Sequence, residues 1–383
     1  GNNVLKKIRS VINVILFFVI FMMIFKCVSS VFRTMDSGDI ENINGFYMEE
    51  KNSIDVFFIG PSEFYTGYAP ALAWEKYGLK SRNLSIGAVP CNMYKSMTKE
   101  ILLKQSPKLI VVNAAGFNHG DWNIKNEVFQ RKWIDNIELS ENKIDTIKND
   151  IPKNGGLNKM ILDTAYFPLK KYHGSWKDPK AVGESIATRL YMKLSGGGYL
   201  KGYHAKADRT CGKERLADIG QPTKEAYFLT DDCKKYLDDY LSYCKNVGLE
   251  NVLFVQPPHE TEAITKTGIE QMESIINQYG YDFVDLSTDY EQIGIDDKTD
   301  FADYDHLNVY GTRKFTLYMS EYIVNKYGIH SKTSESEYTR WEKSAEKTKK
   351  VMETCEKCID DNIRMEFPEI RAWYLYLGFA NIK

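Results

Sequence analysis

Four short apolar runs, spread through the middle of the chain and separated by helix-like stretches, constrain its fold most. Ile54–Ile59 (IDVFFI) runs into Gly60, and Leu109–Asn113 (LIVVN), Asn251–Gln256 (NVLFVQ) and Tyr281–Leu286 (YDFVDL) follow. Runs this short, apolar almost throughout rather than alternating, suit strands buried on both faces of a parallel sheet. Ala71–Tyr77, Tyr94–Lys104, Asp231–Val247, Gly268–Tyr279 and Gly311–Tyr327 read as helices. Strands alternating with helices predict an α/β fold with a covered parallel sheet. Ligands bind at the carboxyl ends of such strands. The residues just after Ile59, Asn113 and Leu286 are therefore where chemistry is expected.

The N-terminus sets a second constraint. From Val11 to Phe32 the chain is apolar or small except for Asn13 and Lys26, a stretch of 22 residues. About 20 suffice to cross a bilayer. Lys6, Lys7 and Arg9 precede it, so the positive-inside rule predicts a cytoplasmic N-terminus and an extracytoplasmic body. A cleaved signal peptide is the competing reading. The long apolar part and the lack of an A-x-A site favour an uncleaved anchor. The first 33 residues hold five cations and no acid; with −2 for the whole chain, the rest carries −7. An acidic body behind a basic, apolar start suits a membrane-tethered enzyme and excludes a nucleic-acid partner.

Residues 1–33 are thus expected to be a cytoplasmic N-terminus and transmembrane anchor, 34–330 the main domain, and 331–383 a helical extension. The strand and helix pattern weakens over about 120–221, which reads as a long insertion of short helices and loops. Such a segment serves as a lid, a binding element or a partner surface. The polar extension ends in an aromatic tail, Phe367–Ile382, expected to dock or to lie at an interface. Seven cysteines are too few for a disulfide-built fold. Cys355 and Cys358 form a C-x-x-C without a second pair at zinc-site spacing. They read as two thiols on a solvated helix, with a disulfide as the alternative.

Two motifs carry chemistry. Gly60-Pro61-Ser62-Glu63 follows the first strand directly. A serine there can project its hydroxyl into the crevice, but needs a base to act as a nucleophile. The alternative is that Ser62 caps a helix. The second motif is Asp303-Tyr304-Asp305-His306-Leu307-Asn308, before the last helix of the domain. An Asp and a His three apart on one turn face the same way. The His can take the serine proton while the Asp holds its tautomer. The competing reading is a solvent loop with incidental charges. Asp305 is the rival partner; adjacency to His306 is expected to keep it from the ring, so Asp303 is preferred.

A serine after the first strand, with D-x-x-H near the end of an α/β domain, resembles the SGNH (GDSL-like) hydrolase superfamily over about residues 50–330. GPSE stands where many members have GDS, whereas DYDHLN matches well. GPSE, the anchor and the stretch FPLKKYHGSW (Phe167 to Trp176) look like the membrane-anchored branch that includes the teichoic acid D-alanine-transfer protein DltD and the alginate O-acetylation proteins. The resemblance implies a three-layer α/β/α domain with Ser62, Asp303 and His306 as catalytic residues. It also implies an oxyanion hole in which a Gly amide and an Asn side chain join the nucleophile's own amide. Gly87, in Asn83–Gly87, and Asn118, in Gly116–His119, are the positions for these donors. A plain loop asparagine is the alternative at Asn118, and His119 stands where the family has Asp.

The implied function is that of an extracytoplasmic serine O-acyl esterase or acyltransferase. It would modify a cell-envelope polysaccharide or teichoic-acid-like polymer through an acyl-serine, beside a multipass membrane O-acyltransferase. His119, His173 and Trp176 are expected substrate contacts. No cofactor or metal is expected: His119, His173, His204 and His259 show no H-E-x-x-H or comparable spacing. Pro61 and His119 leave a second reading open, a non-catalytic SGNH-like binding or scaffolding subunit of a membrane complex. Hydrolysis and transfer share the acyl-serine and are not separable by motif.

Overall fold

A computed structural model describes residues 2–34, 37–118, 120–209, 229–259, 266–287, 292–303, 305–363 and 366–367. The chain opens with α1 (Asn2–Phe32) and α2 (Ser37–Met48). Asn3–Phe32 is long and apolar enough to cross a membrane, with a mean hydropathy of 2.7 in its most apolar window and none of that window buried. Then come β1 (Val56–Gly60), α3 (Ser62–Gly67), α4 (Pro70–Tyr77), β2 (Ser81–Ser85), α5 (Tyr94–Lys104), β3 (Leu109–Asn113) and α6 (Ala115–Asn118). The insertion supplies α7 (Glu127–Ile134), α8 (Glu141–Asn149), α9 (Leu157–Ala165), α10 (Leu169–Tyr172), α11 (Pro179–Leu194) and the short strand β4 (Ala205–Lys206). The chain resumes with α12 (Asp231–Asn246), β5 (Val252–Gln256), α13 (Lys266–Gln278), β6 (Asp282–Asp285), α14 (Val309–Tyr327), α15 (Glu335–Asp360) and β7 (Glu366–Phe367).

Five strands form one parallel sheet in the order β2-β1-β3-β5-β6, and β4 pairs antiparallel with β7. Successive strand residues face opposite ways, and two apolar clusters divide them accordingly. Phe57, Ile59, Ile110, Val112, Val252 and Phe254 pack with Met97 and Ile101 of α5 and with Leu237 and Tyr240 of α12. Val56, Phe58, Val111, Leu253 and Val255 pack with Phe315, Met319 and Ile323 of α14. The sheet is therefore buried on both faces, which is why its inner strands read as unbroken apolar runs.

The four sequence-expected strands form, and so do the five helices, each within a residue or two. β2 is the strand that apolar pattern missed. Its sequence is SRNLS, yet all five residues are buried. The larger polar side chains are partly matched, which lowers the cost of burying them. Arg82 reaches Glu49 at 2.6 Å and the Gly197 carbonyl at 2.8 Å, while Asn83 donates to the carbonyls of Tyr68 and Gly202. Gly197 belongs to the run Gly196-Gly197-Gly198, and a Cβ on it would press on the Gly45 carbonyl at 2.7 Å. The insertion thus covers the edge strand of the sheet.

The insertion is more helical than expected, since α11 alone runs for 16 residues behind an Asp178 cap and Pro179. The extension also differs from expectation. Cys355 and Cys358 are buried among Leu72, Leu200, Tyr203 and Val309 rather than on a solvated face, and both are free thiols. Apart from the backbone of Phe367, the aromatic tail lies outside the described residues, as do residues 210–228 with Cys211.

Candidate functional site

From β1 the chain winds outward to β2, then returns to β3 on the other side, so the winding reverses between β1 and β3. A crevice opens at such a reversal, outside the strands' carboxyl ends. β1 delivers Ser62 to it. Gly60 has φ +136°, and a Cβ there would collide with Cβ of Asn113 on β3, so the close approach of these strand ends requires glycine. Pro61 then caps α3 and Ser62 is its first residue, partly exposed between buried neighbours. No side-chain capping bond is present at the N-terminus of α3, so the capping alternative for Ser62 is not realised. Ser62 Oγ lies 2.7 Å from His306 Nε2 instead. Its amide, at the first position of a helix, has no partner within that helix.

His306 comes from a turn fixed at both ends. Ala302 donates its amide to the His306 carbonyl at 2.8 Å. Asn308 caps α14 by accepting from the amides of Tyr310 and Gly311, while its own amide nitrogen donates to the Thr299 carbonyl. Asp303 Oδ1 takes the His306 Nδ1 hydrogen bond at 2.7 Å and also accepts from the His306 and Asp305 amides at 3.0 and 3.2 Å. Lys206 of β4 approaches Asp303 Oδ2 at 3.3 Å. The expectation that Asp305 cannot reach the ring is corrected here. Its Oδ1 is 2.8 Å from the same Nδ1, because the turn folds its side chain back over the imidazole. His306 is thus clamped by two carboxylates.

Burial by itself would depress His306, but Asp305 and Asp303 outweigh it and lift the imidazole to about 10. Burial would likewise raise Asp303; His306 and Lys206 outweigh it and hold that carboxyl well below the ordinary range. Burial pushes Asp305 up. The two carboxylates thus favour the protonated ring. The ring becomes a base as pH approaches 10. The ligand atoms of Asp303, Asp305 and His306 lie within 4.8 Å of one another, a grouping that could also hold a cation. The 2.7 Å Nδ1–Oδ1 separation is that of a charge-assisted hydrogen bond.

The expected oxyanion donors are placed differently. Gly87 lies two residues beyond β2, and its amide donates to Asp39 Oδ1 at 2.7 Å. Asp39, on α2, is also 3.2 Å from Lys132. Asn118 ends α6, fully buried, and its Nδ2 donates to Gln256 Oε1 at 3.2 Å. Neither donor is bonded to Ser62 or His306. His119 lies outside the described residues. His173 and Trp176 are exposed on a short 3-10 helix that packs against α1, α10 and α11, in contact with the N-terminal helix rather than the triad.

The fold also gathers groups that the motifs did not single out. His259, three residues past β5, has Nε2 4.0 Å from Oε1 of Glu63, the residue after Ser62, and both are buried. Tyr65, one turn along α3 from Ser62, packs its ring on His204 at 4.7 Å, and His204 Nε2 is 3.4 Å from Glu41. A Cβ on Gly87 would lie 3.4 Å from the Tyr65 hydroxyl, which places that hydroxyl beside Gly87. A strand-end rule applied to β5 points to His259. Glu41 and Asp39 carried no such signal, because they lie on a helix before the first strand and not at a strand's carboxyl end. No protein-family model matches the chain, and no curated protein matches it.

Proposed function

We propose that this chain is an SGNH-type serine acyl-ester hydrolase or O-acyltransferase with Ser62 as nucleophile, His306 as acid and base, and Asp303 as its orienting carboxylate. The observation that carries this reading is the continuous relay Ser62 Oγ–His306 Nε2 at 2.7 Å and His306 Nδ1–Asp303 Oδ1 at 2.7 Å. Neutral His306 takes the Ser62 proton as Oγ attacks an ester carbonyl. The imidazolium, held by Asp303, returns that proton to the leaving alkoxide, and an acyl-serine remains. Water or a polymer hydroxyl then attacks it by the same steps in reverse, giving hydrolysis or transfer.

The Ser62 amide and Asn118 are the proposed oxyanion donors. Asn118 and Gln256 are both amides, so turning both by 180° keeps their bond and swings Asn118 Nδ2 away from Gln256 as a donor. Gly87 joins them when Asp39 leaves its amide. On this reading the domain has a three-layer SGNH arrangement, the anchor has a cytoplasmic N-terminus and the body is extracytoplasmic, as in an enzyme of the cell envelope; the apolar N-terminal helix supports it. Its acceptor would be a glycan or teichoic-acid-like polymer, and its partner a multipass O-acyltransferase that presents the acyl group.

One observation favours the second reading, a non-catalytic binding subunit: both Gly87 and Asn118 donate to protein groups. Hydrolysis of p-nitrophenyl acetate by the full chain, compared with Ser62→Ala, separates the two. Turnover that vanishes in the variant supports the enzyme. Turnover equal to the variant's supports the subunit.

A further inference from the structure

A second cavity lies away from the crevice, where α1 meets the body. It encloses about 910 Å³, at the upper end of the ~300–1,000 Å³ usual for ligand pockets. Its two halves differ in chemistry. One wall is the apolar stripe Val14, Phe18, Val19 and Met22 of α1. The other end holds Lys26, Arg33, Lys143 and Arg189, against Glu138 as the one acidic residue of the lining.

These cations have no ion-pair partner of their own among the described residues, although Asp135 attracts Arg33 and Lys143 from nearby. Among the described residues, no carboxylate lies in ion-pair range of Arg33, Lys143 or Arg189; the carboxylate of nearby Asp135 is held by Arg131 and Tyr172. Arg33 donates to the Asp135 carbonyl, Arg189 to Asn44 and Ser185, and Lys143 to the Ile137 carbonyl. Arg33 Nε, Arg189 Nη2 and Ser29 Oγ are sealed from solvent and have no partner. Buried donors without partners are costly, and unpaired buried cations more so. Burial lowers Arg189 to about 9, with Arg33 adding to the effect, and burial lowers Lys143 to about 8. An anion in this pocket would relieve all three.

The surroundings match a membrane. Tyr166, Phe167, Trp176 and Leu190 leave large apolar side chains exposed on or beside the parts of the insertion that touch α1. Phe167 meets Phe25 of α1 ring to edge at 6.1 Å. Along α1, Phe25 to Val14 covers about 16 Å, half of a ~30 Å hydrocarbon core.

We propose that this cavity holds one anionic glycerophospholipid, its phosphate among Arg33, Lys143 and Arg189 and an acyl chain along the Val14–Met22 stripe. The site rests on α1 lying in a bilayer and is independent of Ser62 chemistry. Cations at a membrane surface attract anionic lipid headgroups, and the insertion becomes the element that seats the body on the lipid surface.

Native mass spectrometry of the full chain in mild detergent, offered equal phosphatidylglycerol and phosphatidylcholine, tests this. A single phosphatidylglycerol should be retained over phosphatidylcholine, and Lys143→Gln with Arg189→Gln should weaken it by about fivefold per cation removed. Inorganic phosphate alone should not displace it. Equal retention of the two lipids, an unchanged preference in the double variant, or displacement by phosphate alone would each overturn the proposal. Should the double variant lose its thermal transition, Val14→Trp with Phe18→Trp fills the apolar half without touching the core. Retention must then fall, and unaltered retention counts against the site.

Discussion

The two sides of the crevice are built on the same sheet edge, yet their polar atoms are committed differently. On one side Ser62, His306 and Asp303 are joined in a relay with both links at 2.7 Å. On the other, Gly87 donates to Asp39 and Asn118 to Gln256. The first side joins a glycine-permitted strand end to a turn 244 residues further on, which Asn308 pins. On the second side the donors are held by partners from other elements: Asp39 reaches Gly87 from α2, the helix directly after the N-terminal helix, and Gln256 reaches Asn118 from the end of β5. In the proposed enzyme the nucleophile is thus pre-assembled, while the oxyanion side waits on movement of α2 or on substrate.

The largest effect should come from the relay. Ser62→Ala or His306→Ala is expected to lower kcat for a p-nitrophenyl ester on the order of 10⁴–10⁶-fold, and the double variant to be no worse than either single one, because the pair acts as a unit. Additive losses would break the first half of the comparison. Asn118→Ala should follow, with a loss of ~10²–10³ in kcat and little change in KM; an unaltered kcat would leave Asn118 a structural partner of Gln256.

Asp39→Asn sharpens the contrast in the opposite direction. Removing the charge weakens a bond about twice as strong as a neutral one, frees the Gly87 amide and should raise kcat up to ~10-fold. A fall in kcat would instead make Asp39 a support for the loop at Gly87. The smallest effect concerns pH. His306 is raised to about 10, so kcat/KM should climb with pH toward that value. Asp305→Asn removes one of the two carboxylates and should move the climb to lower pH by roughly one unit. The same raised value means that the His306 clamp stabilises the fold fully below the ordinary imidazole range and that this contribution is lost as pH rises through 10. Thermal melts across that window should show the loss in the parent and less of it in Asp305→Asn.

How far the sequence carried this account varies by element. β1, β3 and β5 were legible because a strand buried on both faces must be apolar at nearly every position. β2 was not, because its burial is made tolerable by Arg82 with Glu49 and by Asn83 with two carbonyls, partners that a local pattern cannot display. Ser62, Asp303 and His306 were legible through strand-end position and i,i+3 spacing. Asp305 was set aside on adjacency, a rule that holds for an extended chain and fails on this turn. Gly87 and Asn118 were expected by resemblance beyond β2 and β3 and lie there, but their hydrogen-bond commitments depend on α2 and β5. Cys355 and Cys358 were read as solvated because the polar composition of their helix hides one apolar stripe.

The most direct test of the central claim is active-site labelling. The full chain, treated with a fluorophosphonate probe near pH 10, where His306 loses its extra proton, should carry one adduct, mapped by peptide mass spectrometry to Ser62 and absent in His306→Ala. An unlabelled Ser62, or labelling that His306→Ala leaves undiminished, would contradict it.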